Sequence, residues 1–210
     1  MLFRSSSVQV LSLGGPGQAA TVAIRGTDPA ATLATLDGVP LNSPFMGGAD
    51  LAGLSLVTLD ALDVSRGARS ASHGTDAVGG VVAARTPDPL LGPDTRASLA
   101  LGSFTTARLK ASHAHTWFVG PHDIGMLVGG GLLATDGSFP FTDTNGIDRV
   151  RDHNGALAFE GLARVAVRIA GVHRVDLLAE GAWDRREIGG LEQYPSTTAQ
   201  QRTTRAVVRA

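Results

Sequence analysis

The residue types that could carry catalysis lie closest together between positions 70 and 76. Ser70, Ser72, His73 and Asp76 include a nucleophile, a base and a carboxylate, as in a hydrolytic triad. A triad is defined by geometry, however, and the sequence has no Gly-x-Ser-x-Gly turn of the kind that exposes a nucleophilic serine. We therefore expect no hydrolase chemistry and predict that the protein is not an enzyme.

Metal-binding and phosphate-binding patterns are also weak. His113 and His115 have the i, i+2 spacing that some metal sites use, but no carboxylates stand at a convincing distance along the chain. The glycine run at 14–17 is followed by neither a helix nor a Lys-Ser/Thr pair, so a phosphate loop is not expected. The chain has no cysteine, which excludes thiolate zinc, iron–sulfur clusters and disulfides. The sequence predicts no cofactor and no metal.

Composition and charge narrow the class of protein. With 18 Lys+Arg against 19 Asp+Glu, the net charge is -1, and we expect no nucleic-acid partner. Glycine is abundant, at 27 of 210 residues, which disfavours a helical bundle. The first 15 residues lack the apolar run of a signal peptide, and no stretch approaches 18 apolar residues. Such a chain is either a soluble protein or a membrane β-barrel, whose strands escape hydropathy windows.

The first part of the chain has the pattern of a compact α+β unit. Its apolar runs are short and broken by glycine and proline, which predicts small strands and one or two short helices. Asp37-Gly38 between apolar residues predicts a hairpin, and Leu59–Ser65 is interpreted as a helix-to-strand element. Three prolines between residues 86 and 94 indicate a linker or domain boundary.

Long alternating segments follow that boundary. Side chains in a strand repeat with period two, and the odd positions of Leu157–Ile169 and Val175–Trp183 are apolar or glycine. The charged residues stand at the even positions: Glu160, Arg164, Arg168, Asp176, Glu180 and Asp184. Short turns at 119–123 and 170–173 alternate with long polar loops at 136–154 and 188–200. Strand length and turn pattern favour a transmembrane barrel, and a soluble β-sandwich is the alternative.

The first part also carries an ordered set of motifs. In chain order these are Ile24-Arg25-Gly26, Leu36–Asn42, Leu59–Gly67 and His73–Val82. Together they resemble the plug domain of TonB-dependent outer-membrane receptors. Gly102-Ser103-Phe104 and Asp136–Phe139 are similar to the opening hairpins of the barrel in that family. The stretch before Arg66-Gly67 departs from the family, which usually has a glutamate and arginine pattern there.

The resemblance implies a fold and a function. The expected fold class is an α+β plug, residues 1–90, followed by about six antiparallel strands, residues 91–210, of an incomplete 22-stranded transmembrane β-barrel. The expected function is TonB-dependent active uptake of a scarce nutrient, such as a siderophore or cobalamin, across the outer membrane. Partners would be the TonB complex, outer-membrane lipid and a small-molecule or metal-chelate ligand. A signal peptide, a TonB-binding segment and the first plug strands should precede residue 1, so we expect a fragment.

Site residues follow from the same motifs. The plug-motif residues, expected to act structurally, are Arg25, Gly26, Asp37, Gly38, Arg66, Gly67, Gly74, Gly79 and Gly80. Substrate contacts are expected from residues 39–50 and from the loops 136–154 and 188–200. Within the first of these the candidates are Asn42, Ser43, Phe45 and Met46. A soluble all-β ligand- or carbohydrate-binding module is the alternative function, and a porin is disfavoured because plug motifs would then have no purpose.

Two further expectations concern placement. Arg25 and Arg66 are predicted to dock the plug against the barrel wall, with Glu160 and Glu180 as possible partners, because a guanidinium can hold a carboxylate bidentately. A solvated surface arginine is the alternative. Trp117 and Trp183 lie near the ends of predicted strands, as residues of an aromatic girdle do, although core packing explains them almost as well.

Overall fold

The computed structural model describes residues 7–12, 15, 17–43, 47–51, 59–67, 77–191 and 194–209. The chain divides into two compact units. The first, here called the N-terminal unit, comprises residues 1–14 and 19–87, and the second, the sheet unit, comprises residues 15–18 and 88–210. No helix in the described part of the chain has the length and apolarity that crossing a membrane requires.

Short strands make up the N-terminal unit. They are β1 Val8–Ser12, β2 Ala20–Ile24, β3 Thr32–Leu36, β4 Val39–Pro40, β5 Ala61–Arg66 and β6 Gly80–Arg85. A four-stranded sheet has the order β4-β3-β6-β5, in which β3 and β6 are parallel, while β1 and β2 form an antiparallel pair. The predicted hairpin at Asp37-Gly38 is present and joins β3 to β4. A 3-10 turn, Pro29–Ala31, precedes β3.

Apolar side chains of the central strands form the core of this unit. Every residue of β3 is buried, as expected for a strand in a parallel pair that is covered on both faces. Ile24 is fully buried and packs with Val22 and Val82. Burying one such side chain contributes about 2 kcal/mol before entropy is counted. The helix-to-strand element predicted over Leu59–Ser65 is wrong in its first part: Asp60 donates its N–H to the Arg85 carbonyl at 2.7 Å, which extends the sheet pairing instead.

The sheet unit is built from long strands. They are β7 Asp94–Gly102, β8 Thr106–Val119, β9 His122–Thr135, β10 Phe139–Thr142, β11 Asp148–Arg151, β12 Ala156–Ile169, β13 His173–Glu187, β14 Gly190–Leu191, β15 Tyr194–Pro195 and β16 Gln200–Arg209. Six of them form an antiparallel sheet in the order β16-β13-β12-β9-β8-β7, and the sheet does not close. The short pairs β10–β11 and β14–β15 lie within the two predicted long loops.

The two faces of this sheet differ as the alternation predicted. Large apolar side chains on one face, here called the apolar face, are exposed, with Leu101 at 77% and Val208 at 74%. Most charged side chains of β12 and β13 are on the opposite, polar face, together with buried small and apolar residues such as Ala166 and Leu127, whereas Arg185 and Glu187 near the end of β13 are on the apolar face. A sandwich would cover the apolar face with a second sheet. The described residues provide no such cover, so the sandwich alternative fails.

Candidate functional site

Two tight turns place the first plug motifs. Arg25 and Gly26 have φ of 56° and 72°, and Asp37 and Gly38 have φ of 47° and 84°. Consecutive positive φ angles are the geometry of type I′ turns. Arginine is rarely left-handed, and such a conformation costs about 1 kcal/mol or more. The backbone N–H of Arg25 compensates by donating to the Ser7 carbonyl at 2.8 Å.

Three motifs that are far apart in sequence meet in the N-terminal unit. Gly67 donates its N–H to the Gly79 carbonyl at 3.2 Å, and Gly79 donates to the Ala31 carbonyl at 2.8 Å. A Cβ on Gly67 would lie 3.9 Å from Nη1 of Arg25, so the guanidinium passes beside this glycine. We call residues 25–26, 66–67 and 79–80 the motif cluster.

Ser7 ties the two arginines of the motif cluster to β1. Its carbonyl accepts from the Arg25 backbone, and its Oγ accepts a 3.1 Å hydrogen bond from Nη1 of Arg66. Glu160 and Glu180, the suggested carboxylate partners of these arginines, pair instead within the sheet unit. Glu160 binds Nζ of Lys110 at 3.1 Å, and Glu180 binds Arg205. Glu160 and Glu180 are therefore not the partners of these arginines, and the docking role of Arg25 and Arg66 stays a prediction.

Gly80 is the position of the motif cluster where a side chain fits least. Its φ is 151°, and an added Cβ would stand 2.7 Å from Cδ1 of the buried Ile24 and closer still to the Ser65 carbonyl. Here β5 and β6 approach each other over the core. Only a residue without a side chain fits this close approach of the two strands.

Asp37 does more than turn the hairpin. Its carboxylate accepts hydrogen bonds from the backbone N–H of Thr86 at 3.1 Å and from the Thr86 hydroxyl at 2.6 Å. Its own N–H donates to the Ala84 carbonyl at 2.9 Å. Asp37 therefore fixes the end of β6, 49 residues further along the chain. Proximity in sequence gives no hint of this contact.

The predicted substrate residue Asn42 is committed to the backbone. Its Oδ1 accepts from the N–H of Ala34 at 2.8 Å, and its Nδ2 donates to the carbonyls of Thr32 at 3.0 Å and Gly47 at 2.9 Å. An asparagine amide has two donor hydrogens, so both are used. Ser43 continues the same loop and accepts from Gly47 N–H at 2.8 Å. The remaining predicted residues, Phe45, Met46 and Gly74, lie outside the described residues.

On the polar face of the sheet unit, glycine allows charges to pair across a whole strand. Lys110 on β8 and Glu160 on β12 both stand opposite Gly131 of the intervening β9. A Cβ on Gly131 would lie 2.5 Å from Oε1 of Glu160. The absence of a side chain lets the 3.1 Å ion pair form above it. Glycine between two opposite charges in neighbouring strands is the signal that could have predicted this pair.

Residues 88–92 follow the N-terminal unit and lead into the sheet unit, where they are held on the polar face. We call them the exit segment. Thr116 donates its hydroxyl to the Pro89 carbonyl at 2.6 Å, and Gly92 donates its N–H to the same hydroxyl at 3.2 Å. A Cβ at Gly125 would lie 2.6 Å from the Pro89 carbonyl carbon, so β9 makes room for the segment.

Ion pairs also attach the exit segment to the sheet. Asp88 binds Arg174 through two hydrogen bonds, of 2.7 and 3.2 Å, and Arg174 also binds Asp176 at 2.6 Å. Asp176 in turn accepts from Nε of Arg164 at 2.7 Å. Burial alone would raise the pKa of Asp88. Hydrogen bonds from Arg174 and from the N–H of Leu90 outweigh it and hold that pKa below its ordinary value.

The two long loops of the sheet unit contact each other beyond the strand ends. Arg151 donates to the Gly190 carbonyl, and the His153 ring nitrogen Nε2 lies 2.9 Å from the Ala199 carbonyl oxygen. Glu187 at the end of β13 accepts from the N–H of Gly155 at 3.1 Å. The candidate substrate loops 136–154 and 188–200 are therefore joined into one surface.

Asp143 organises the turn between β10 and β11. Its carboxylate accepts from the N–H groups of Ile147 and Asn145, each at 2.9 Å, and from Nε of Arg149 at 2.6 Å. These bonds, led by that of Ile147, lower the pKa of Asp143 from its ordinary value. The loop is thus an ordered hairpin with a charged tip.

The candidate metal residues lie on the apolar face. The rings of His113 and His115 stack at 6.2 Å, His115 packs edge-on against Trp117 at 4.7 Å, and Nδ1 of His113 is 2.7 Å from Oγ1 of Thr95. In the portion of the chain that the structure describes, no three metal-ligating side chains come together. Ser70, Ser72, His73 and Asp76 lie outside that portion.

Comparison with known proteins decides the family. The family model described as TonB-dependent Receptor Plug Domain matches residues 1–81, which include the motif cluster. These residues belong to the plug-domain family of the TonB-dependent receptors. Residues of this receptor are 42% identical over 79 positions to the vitamin B12 transporter BtuB of Vibrio vulnificus, and 40% identical over 82 positions to BtuB of Photobacterium profundum. These matches cover 38% and 39% of the chain but only 13% of each relative.

Solved structures of the family share the fold. The ferric yersiniabactin uptake receptor FyuA of Yersinia pestis superposes with a TM-score of 0.59 at 16% identity, over 87% of this chain and 28% of that one. The siderophore receptor PirA of Acinetobacter baumannii gives 0.56 at 19% identity, over 86% and 28%. The likeness extends beyond the residues of the plug match, so it includes strands of the sheet unit.

The protein lies in the outer membrane, and its exposed apolar face is the one suited to contact with lipid, so we call it the lipid-facing side. Aromatic residues mark two levels on that face. Trp117 stands opposite Ile124 near the short turns, while Phe159, opposite Leu132, packs against Trp183 at 5.7 Å toward the long loops. Eight residues of β9 separate these levels, about 26 Å along the strand and roughly 20 Å in height at the usual tilt. The apolar band of a transmembrane barrel is about 25 Å tall, so the separation is of the same order.

Proposed function

We propose that this receptor carries out TonB-dependent uptake of a scarce nutrient across the outer membrane. In this proposal residues 1–90 are the plug and residues 91–210 are strands of the surrounding barrel. The observation that carries it is the motif cluster, in which Arg25-Gly26, Arg66-Gly67 and Gly79-Gly80 meet within the segment matched by the plug family. A pore for passive diffusion would have no use for this assembly.

The transported ligand is proposed to be a small molecule or metal chelate of the cobalamin or siderophore kind. The relatives and structural neighbours named above are, by their names, a vitamin B12 transporter, a ferric yersiniabactin receptor and a siderophore receptor. The joined loops 136–154 and 188–200 supply one candidate contact surface, and residues 39–50 supply another. TonB is the proposed partner that supplies the energy for transport.

Within residues 39–50, we propose that Asn42 shapes the loop and that Ser43, Phe45 and Met46 contact the ligand. The amide of Asn42 has no donor hydrogen left for a substrate, because Thr32 and Gly47 take both. Its replacement by aspartate would keep the acceptor for Ala34 and remove both donors. Asn42→Asp should therefore weaken ligand binding through disorder of the loop.

Uptake assays test the proposal. Cells expressing the receptor that carries these residues are given radiolabelled cobalamin or a radiolabelled ferric siderophore, and surface binding and internalisation are measured separately. We expect one ligand to bind in both wild-type and TonB-deficient cells, but to enter only the former. Internalisation without TonB, or entry that increases linearly with ligand concentration and never saturates, would show passive diffusion and reject the proposal.

A further inference from the structure

Part of the glycine run at 14–17 forms a tight turn. The N–H of Gln18 donates to the Gly15 carbonyl at 3.1 Å, and Gly17, at the third position of this four-residue turn, has a φ of 85°. A positive φ at that position is the geometry of a type II turn, which favours glycine there. We call residues 15–18 the docking turn. The function proposed above gives it no role.

The docking turn lies on the sheet unit, although the chain on either side of it does not. Residues 15–18 belong with residues 88–210, whereas residues 1–14 and 19–87 form the N-terminal unit. A Cβ on Gly17 would stand 2.7 Å from Cβ of Ala156 and 2.8 Å from Cδ2 of Leu133. Both neighbours are buried side chains of the polar face. The turn therefore rests on β9 and β12 at a place where residue 17 has no room for a side chain.

A side chain fastens the docking turn at the base of both long loops. Nε2 of Gln18 donates to the carbonyl of Glu187, the last residue of β13, at 3.3 Å. The N–H of Glu187 donates to the Gly155 carbonyl at 2.9 Å, and the Glu187 carboxylate accepts from the Gly155 N–H at 3.1 Å. Loop 188–200 begins directly after Glu187, and loop 136–154 ends directly before Gly155. Gln18 therefore binds where the two loops leave the sheet.

The chain that follows the docking turn holds the end of residues 39–50. Ala20, the second residue after Gln18, donates its N–H to Oδ1 of Asp50 at 3.1 Å, and its carbonyl accepts from the N–H of Leu51 at 2.7 Å. Two residues of extended chain span at most about 7 Å. A restraint on Gln18 therefore reaches Asp50 through a short length of backbone.

The Gln18 bond is weak in comparison with the attachment of the exit segment. It joins two neutral groups at a distance near the upper limit for a hydrogen bond, whereas Asp88 and Arg174 form a charged pair with two bonds. A six-stranded sheet does not depend on one neutral bond, so its loss should release the docking turn and leave the strands intact. The effect of Gln18 on position can therefore be separated from an effect on folding.

We propose that Gln18 is a positioning residue for ligand binding. By fastening the docking turn to the sheet unit, it restricts the movement of residues 39–50 relative to loops 136–154 and 188–200. The proposal rests on the function proposed above, in which both of these surfaces contact the transported ligand. A ligand that meets two surfaces already restrained relative to each other binds more tightly, because less freedom is lost on binding. Gln18 itself needs no contact with the ligand in this role.

A distance measurement between two spin labels tests the restraint without any ligand. Labelled cysteines replace the exposed residues Pro40 and Asn145, one on each surface, in the intact receptor from which any other cysteine has been removed. Pulsed electron paramagnetic resonance then gives the distribution of label distances. We expect a narrow distribution with Gln18 present and one roughly twice as wide in Gln18→Glu, because an ionised carboxylate has no proton to donate to the Glu187 carbonyl.

Gly17→Ala releases the docking turn in a different way. The new Cβ collides with Ala156 and Leu133 at a φ that alanine rarely adopts, while the Gln18 side chain is unchanged. This variant should widen the distribution as Gln18→Glu does. Gln9→Glu is the matched control, because it makes the same change of charge at an exposed position of β1, and it should leave the distribution narrow. Circular dichroism of each variant checks that the strands are intact.

Ligand affinity completes the test. With radiolabelled cobalamin or a radiolabelled ferric siderophore, whichever the wild type binds, Gln18→Glu and Gly17→Ala should each raise the Kd about tenfold, and Gln9→Glu should not change it. Narrow distributions in both turn variants overturn the proposal. Wider distributions without a loss of affinity also overturn it. An affinity lost only in Gln18→Glu, with a narrow distribution, would make Gln18 a direct ligand contact and reject the positioning role. A wild type that binds neither ligand counts against the proposed function, whereas the distance distributions decide the restraint by themselves.

Discussion

The two units of this receptor bury their apolar residues in opposite directions. In the N-terminal unit, Ile24, Leu33 and Val81 are at most 4% exposed. In the sheet unit, Leu99 and Val175 are 69% and 56% exposed, while Lys110 and Arg164 are nearly covered. The placement of apolar residues therefore reflects the surroundings of each unit. The N-terminal unit hides them from water, whereas the outer side of the sheet unit exposes them to hydrocarbon. Apolar exposure alone would misclassify the sheet as unstable.

The largest expected effect comes from filling the tightest point of the inward-packed unit. Gly80→Val would place side-chain atoms against Ile24 and the Ser65 carbonyl, at a φ that valine rarely adopts. We expect a loss of about 3 kcal/mol or more in the stability of the N-terminal unit. Susceptibility of the plug to limited proteolysis in isolated outer membranes measures it.

Gly26→Ala is the control for that substitution. Gly26 has a positive φ of 72°, but nothing lies within 4 Å of an added Cβ. Gly26→Ala should lower the stability of the N-terminal unit by only about 1 kcal/mol, because alanine is less favourable than glycine in a left-handed backbone conformation. If both variants are cleaved equally fast, close approach at Gly80 is not what orders the unit.

The outward-packed sheet predicts a face-dependent response to charge. Ala163 lies on the lipid-facing side, midway between the Phe159 and Val167 levels, so Ala163→Arg should cost about 2–4 kcal/mol. Ala158→Arg places the same side chain on the polar face, directly opposite Asp184, and should cost less than about 1 kcal/mol. Heat-dependent unfolding of the membrane-inserted receptor, followed by electrophoretic mobility, compares them. A larger loss for Ala158→Arg would reverse the assignment of faces.

The smallest effect concerns the exit segment and depends on pH. The folded-state pKa of Asp88 lies below its ordinary value, so the folded protein favours the carboxylate. Its stabilising contribution is complete above the unfolded pKa and is lost as pH falls through the lowered folded value. For a pair this exposed the contribution is about 1 kcal/mol or less.

Hydrogen exchange of the Leu90 and Leu91 amides, labelled at about pH 6 and at about pH 3 and corrected for intrinsic rates, detects that loss. Protection should fall at the lower pH in the wild type. In Asp88→Asn protection should be lower throughout and independent of this titration. A wild type with the same protection at both pH values would assign the anchoring of the segment to Thr116 alone.

Sequence pattern predicted the features that depend on neighbours along the chain. The Asp37-Gly38 hairpin and the two faces of β12 and β13 follow from local turn chemistry and period-two alternation. Long-range contacts escaped the sequence. The Asp37–Thr86 bonds span 49 residues, and the Lys110–Glu160 pair depends on a register that places Gly131 between them. Neither relation is encoded by spacing alone.

The site was predicted in the same uneven way. The glycines of the motif cluster were found because their types are constrained by backbone geometry, as at Gly80. The backbone partners of Asn42 could not be predicted, because an asparagine in a loop gives no sign of which backbone groups it will meet. Charge pairs across neighbouring strands, such as Arg164 and Asp176, become visible only when the strands are aligned.

The exit segment also has a mechanical consequence. The Asp88–Arg174 bonds and the Thr116 hydroxyl fasten the chain to the wall immediately after the N-terminal unit. Tension applied upstream would be resisted there by several bonds loaded together, before it could peel a strand from the sheet. Residues ahead of that attachment could extend by about 3.3 Å each while the sheet keeps its shape. The exit segment is thus the fixed point from which the preceding residues would extend under tension.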